Sequence, residues 1–172
     1  MSGEKELQKA YESILGQHFE EAAAWFQKAI EQDPDNADYH YKLSITYARS
    51  GRLDEALATA RRALALRPDR SDYAVQVRML ESRQLAQRAE KLLEQEGGAA
   101  MAAALLQQAL RLDPLEERAY LLLATAYART NEFKQAIAAL QKLLELDPSH
   151  EHARAMLQQY KQLFVHYLEE HP

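Results

Sequence analysis

Four short segments, each ending in proline, divide the chain into look-alike blocks: Gln32-Asp33-Pro34, Leu66-Arg67-Pro68, Leu112-Asp113-Pro114 and Leu146-Asp147-Pro148. The prolines stand 34, 46 and 34 residues apart. Proline has no amide hydrogen and clashes with the preceding turn of a helix, so each one ends a helix and opens a turn. A block that recurs at a fixed spacing is one supersecondary unit, and such units bury their apolar faces by stacking.

The residues between the prolines repeat as well. Ala37 to Arg70 aligns without gaps on Glu117 to His150. Leu43 matches Leu123, Ser44 matches Ala124, and Tyr47-Ala48-Arg49 matches Tyr127-Ala128-Arg129. Gly51 matches Asn131, Leu53 matches Phe133, Ala56 matches Ala136, and Pro68 matches Pro148. Each choice has a physical reason. Leu43 and Tyr47 are four apart on one helix face, and the small Ser44 lets a neighbouring helix come close. Gly51 or Asn131 suits the positive φ that ends this helix. Ala56 and Ala63 line the contact face of the second helix, where bulk would push the pair apart.

This ordered pattern resembles the tetratricopeptide repeat family. The resemblance implies an all-α fold, a right-handed superhelix of four helical hairpins with a terminal capping helix. The expected units are residues 3–36, 37–70, 71–116 and 117–150, with the terminal helix at 151–169, all in one solenoid over 1–172. The first unit fits well from Phe19 through Ala22, Phe26, Ala29 and Pro34. Its first helix, with Leu7, Ala10, Tyr11 and Ile14, fits only if the following turn is one residue short. A looser first unit is expected where no preceding repeat covers it.

The third unit departs from the pattern. Ala102, Leu106, Ala109 and Pro114 are in register after a turn at Gly97-Gly98, but Ser71 to Glu96 is twelve residues longer than the pattern requires. Tyr73, Val77, Leu80, Leu85, Ala89, Leu92 and Leu93 recur at helical spacing with no Gly or Pro among them. One long helix, reaching about 18 Å further than its neighbours, is the reading; a kinked pair of short helices is the alternative. In the terminal helix, Met156, Leu157, Tyr160, Leu163, Phe164, Tyr167 and Leu168 are apolar. Core packing accounts for such a set, and a self-association patch is the sharper reading.

Composition agrees with helices and excludes several chemistries. Apolar residues make up 47%, with only 5 Gly and 5 Pro, and the good helix formers dominate. There is no Cys, which rules out disulfides, thiolate metal sites and a cysteine nucleophile. No stretch approaches the roughly 20 apolar residues of a membrane span, and the amino terminus lacks a secretory layout. The expected setting is cytoplasmic. A net charge of −5 argues against nucleic-acid binding. Charge is uneven, with 3 basic and 8 acidic residues in 1–36 against 7 and 4 in 37–70. Such an asymmetry either orients a partner or a second copy, or is a solvated surface.

Catalytic motifs are missing. Gly97-Gly98 is not followed by the Lys-Ser or Lys-Thr of a phosphate loop, and no Gly-x-Ser-x-Gly or His-Glu-x-x-His occurs. His150 and His152, two apart at a helix start, diverge and do not share a metal. Glu20-Glu21 and Glu169-Glu170 are splayed pairs on solvated faces. Trp25 either lies partly exposed or packs on the first helix, with ligand stacking as a rival role. The expectation is a non-enzyme without cofactor or metal.

In the resembled family the first helix of each hairpin lines a concave groove. Its positions map here to Asp38, Tyr41, Lys42, Ile45, Ala48 and Arg49, and to Arg118, Leu121, Leu122, Thr125, Ala128 and Arg129. Mixed cations and apolar surface suit a peptide or helix carrying acidic and hydrophobic residues. Arg49 and Arg129 recur at equivalent places and are the leading contact residues, unless both are solvated arginines favouring the helix dipole. The Lys, Asn and Arg set that grips chaperone tails is not reproduced. The resulting expectation is an adaptor or scaffold for a protein or peptide partner. Self-assembly as a homo-oligomer, through the long third-unit helix or the terminal helix, is the alternative.

Overall fold

The computed structural model describes residues 3–171, and these form nine α-helices without a strand. They are α1 (Glu4–Leu15), α2 (Phe19–Gln32), α3 (Ala37–Arg49), α4 (Leu53–Leu66), α5 (Ser71–Leu93), α6 (Ala99–Leu112), α7 (Glu117–Arg129), α8 (Phe133–Leu146) and α9 (Glu151–Glu170). The chain divides after Glu81 into two compact units. In the first, α1, α2, α3 and α4 pack in sequence order; in the second, α6, α7, α8 and α9 do the same. Each unit is thus a stack of antiparallel helical hairpins. The α5 helix supplies Tyr73, Val77 and Leu80 to the first core and Ala86, Ala89 and Leu93 to the second.

The repeat register is visible in the burial. The second helix of every hairpin buries the same three positions: Ala22, Phe26 and Ala29; Ala56, Ala60 and Ala63; Ala102, Leu106 and Ala109; Ala136, Leu140 and Leu143. Alanine at most of these positions lets helix backbones approach, and Phe26, Leu106, Leu140 and Leu143 carry the bulk, each fully buried Leu or Phe contributing roughly 1.5–3 kcal/mol. The first helices bury one small residue at a common place, Ala10, Ser44 and Ala124, all fully inaccessible. Tyr47 and Tyr127 then each accept a hydrogen bond from Gln27 and Gln107, residues that are themselves equivalent.

Each proline turn closes alike, with the amide of Asn36, Arg70, Glu116 or His150 donating to the carbonyl three residues back. Asp113 and Asp147 reinforce it through carboxylate bonds to the Leu115 and Ser149 amides. Within the hairpins, Gln17, Gly51 and Asn131 take positive φ, at 60°, 80° and 59°. The amide that follows each of them reaches back to the carbonyl of Ser13, Tyr47 or Tyr127. The first turn is therefore full length, which corrects the expectation of a turn one residue short. Glutamine accepts the left-handed conformation at a cost of about 1 kcal/mol, so the first unit keeps the 34-residue register throughout.

α5 is a single helix of 23 residues, against 13 for α3 and for α7. Of the twelve additional residues ten lengthen the helix, by about 15 Å at 1.5 Å per residue; the other two fall in the turn before α6. That turn depends on Gly97, at φ 75°, and on Gly98, where any Cβ would collide with the Leu92 carbonyl. Ser82, at 0% exposure, donates to the Ala109 carbonyl at 3.0 Å, so this buried hydroxyl is satisfied. On α9, Phe164 and Tyr167 pack on Phe133, with centroids 6.2 and 5.6 Å away. Core packing does not explain Leu163 and Leu168, which stay exposed together with Val165.

Candidate functional site

The first unit contains a cleft of about 230 Å³ lined by α1, α2 and α3. Four of the six α3 groove residues expected from the sequence, Tyr41, Lys42, Ile45 and Arg49, are in its wall; Ala48 is not, and Asp38 pairs with Lys42 at 3.0 Å. Tyr11, Ile14, Phe26 and Thr46 complete the lining. These four were not anticipated, and for Tyr11 and Ile14 the signal was in the sequence. In the uninterrupted 34-residue register Tyr11 is equivalent to Ile45, and Ile14 to Ala48, both groove positions. Placing the turn one residue short concealed this.

Packing orders the walls. Tyr41 stacks on Tyr73 with centroids 4.6 Å apart, and Tyr11 meets Phe26 edge-on at 6.1 Å. The floor is the buried Phe26, and the Thr46 hydroxyl is turned inward to the Lys42 carbonyl at 2.9 Å. Two cations stand on the rim. Burial works against the Lys42 ammonium, but Tyr11 and the Asp38 carboxylate outweigh it and hold its pKa above the ordinary lysine value. Arg49 is exposed, its guanidinium 5.8 Å from the Phe19 ring centroid, and no carboxylate among the described residues pairs with it. The cleft thus offers aromatic and aliphatic surface edged with positive charge.

In the second unit the equivalent residues have other neighbours. Arg118 pairs with Glu90 of α5, and the Arg129 guanidinium donates to the Leu93 carbonyl at the carboxyl end of α5. That carbonyl is one of the acceptors a helix end leaves without an intrahelical donor. Leu121 and Leu122 are half-buried against the core, and the Thr125 hydroxyl is bonded to the Leu121 carbonyl. Tyr41, Lys42, Ile45 and Arg49 of α3 share one cleft, whereas the α7 set is tied to α5 through its two arginines.

The uneven charge of the first two hairpins is largely spent within the unit. Arg52 bridges to Glu20 and Arg62 to Asp35, each at 3.0 Å. Trp25 is half-buried with the Lys9 and Lys28 ammonium groups each 4.1 Å from its ring. His150 caps α9 by accepting the Ala153 amide at 3.2 Å. Among the described residues no group of three or more His, Cys, Asp or Glu is placed to hold a metal ion. Among the described residues no helix is long and apolar enough to cross a membrane.

The family model described as tetratricopeptide repeat matches residues 16–78 and 93–160. Its two stretches leave out α1, where Ser13 stands in place of the repeat tyrosine, residues 79–92 of the long α5, and the part of α9 beyond Tyr160. A crystal structure of MamA superposes with a TM-score of 0.56 at 18% identity, covering 98% of this chain and 87% of MamA. A MamA fragment from Desulfovibrio magneticus gives 0.55 at 20% identity, over 98% of this chain and 94% of the fragment. Both likenesses are likenesses of fold. Comparison with curated protein sequences finds no match. Tetratricopeptide repeats are in general scaffolds for protein–protein interaction rather than enzymes, and the chain belongs to this family.

Proposed function

We propose that the chain is a non-enzymatic adaptor that holds a peptide or helix of a partner protein in the groove presented by its first helices. The observation that carries the reading is the α1–α3 cleft, where an apolar floor and walls meet the Lys42 and Arg49 cations. An apolar side chain entering it removes the surface of Tyr11, Ile14 and Ile45 from water, and carboxylates beside that anchor meet the rim. Leu121, Leu122 and Thr125 of α7 offer a second stretch of contact, with Arg118 and Arg129 partly committed to α5. The reading takes residues 1–172 as one repeat array, and a cytoplasmic setting.

Affinity capture tests the reading, with wild type beside a Lys42→Glu, Arg49→Glu variant whose helicity is unchanged by circular dichroism. A partner that wild type retains and the variant loses, with the same loss in direct titration of the purified pair, supports the cleft. Equal capture overturns it. Self-association is the second reading, favoured by Leu163, Val165 and Leu168, which are 42%, 56% and 50% exposed on α9. Light scattering over a range of concentrations, on wild type and on Leu163→Asp, Leu168→Asp, decides that question.

A further inference from the structure

The extended α5 and its partner helix form a second groove, wholly inside the second unit. Arg88, Lys91 and Leu92 of α5 face Met101 and Leu105 of α6 across a hollow of about 260 Å³. The repeat register makes this face of α6 unusual. Met101 is equivalent to Glu21, Glu55 and Gln135, and Ala100 to Glu20, Asp54 and Lys134. Three second helices thus put charged or polar side chains where α6 puts a methionine that is 63% exposed. α6 carries no charge from Ala99 to Leu110. An apolar side chain held this far into water beside two half-buried leucines gains free energy when it is covered.

The two cations point the same way. Arg52, Arg61, Arg62, Arg83 and Arg118 all pair with carboxylates. Arg88 and Lys91 have no such partner among the described residues. All three α5 residues of the groove also lie in 79–92, the segment outside the family match. The insertion therefore supplies the cations, and a local loss of charge on α6 supplies the apolar wall. We propose that this groove docks a partner segment in which large apolar side chains alternate with Asp or Glu, methionine and leucines receiving the anchor and Arg88 and Lys91 the carboxylates. The site is separate from the α1–α3 cleft and does not rest on the reading given for it.

The test uses the full chain labelled with ¹⁵N and the capped peptide acetyl-Glu-Leu-Phe-Asp-Leu-amide, beside versions with Lys for both acids and Ala for all three apolar residues. The acidic apolar peptide is expected to shift the amides of residues 88–92 and 101–105, and the two control peptides are not. Arg88→Glu, Lys91→Glu together should weaken binding about tenfold, as two rim ion pairs turned to repulsion predict. Met101→Glu should do the same, and it is safe for folding because glutamate already stands at positions 21 and 55. Lys42→Glu, Arg49→Glu should leave these shifts unchanged. Equal response to the lysine peptide, or no response at millimolar peptide, overturns the proposal. Shifts confined to α1 and α3 also overturn it, while supporting the function proposed for the cleft.

Discussion

α3 and α7 are the equivalent first helices of two repeats, thirteen residues each, ending in the same Tyr-Ala-Arg. In the first unit Arg49 lies open at the edge of a cleft; in the second, Arg129 closes the end of α5 by bonding the Leu93 carbonyl. What differs is the helix in front. α1 brings Tyr11 and Ile14, side chains that make a wall and offer no strong acceptor. α5 brings Glu90 and an unsatisfied helix terminus, which draw in Arg118 and Arg129. An arginine at a fixed repeat position is thus a contact residue or a structural cap according to its neighbour, and its identity alone does not decide.

The largest test of this contrast removes the cleft floor. Phe26→Ala should cost about 3–5 kcal/mol in urea unfolding, since the ring is wholly buried, and should abolish binding in the cleft. Leu106→Ala, at the equivalent position, should cost about 2–5 kcal/mol and leave the α1–α3 cleft lining intact. Next comes Gly98→Ala, where the new methyl meets the Leu92 carbonyl. A loss of about 2–3 kcal/mol is expected, with amide exchange in α5 and α6 accelerating most. A smaller loss would mean that the α5 terminus yields, and with it the carbonyl that Arg129 caps.

The arginines themselves give the sharpest comparison. Arg129→Ala should destabilise by about 1–2 kcal/mol by freeing a helix-end carbonyl, whereas Arg49→Ala should stay within about 0.5 kcal/mol. Partner affinity should show the reverse order. Equal stability losses would break the contrast. The smallest effect is at the hairpin turns. Gln17→Gly should stabilise by about 1 kcal/mol by relieving a left-handed glutamine, and Asn131→Gly by only a few tenths. Thermal unfolding of both variants checks it.

Much of the fold was legible. The proline turns, the alanine faces and the Gly51 and Asn131 turns follow from local chemistry that repeats, and repetition multiplies a weak signal. The misplaced first turn shows the limit. Nothing in the type of Gln17 announces the left-handed position, which glycine takes at no steric cost. The hydrogen bond from His18 to Ser13 puts Gln17 there, and the error hid Tyr11 and Ile14 as cleft residues. On α9, helical spacing identified the apolar residues and could not separate Phe164 and Tyr167, which meet Phe133, from the exposed Leu163 and Leu168.

The sequence by itself determined the hairpin, its period, and which face of each helix is buried, because propensity, capping and apolar spacing act within about one turn of the chain. Only the tertiary structure decided which rim charges remain available. It brought Glu20 to Arg52, Glu90 to Arg118 and the Leu93 carbonyl to Arg129, and left Arg49, Arg88 and Lys91 without a carboxylate. Those pairings span about thirty residues of chain, and no local pattern encodes which long side chain reaches which acceptor.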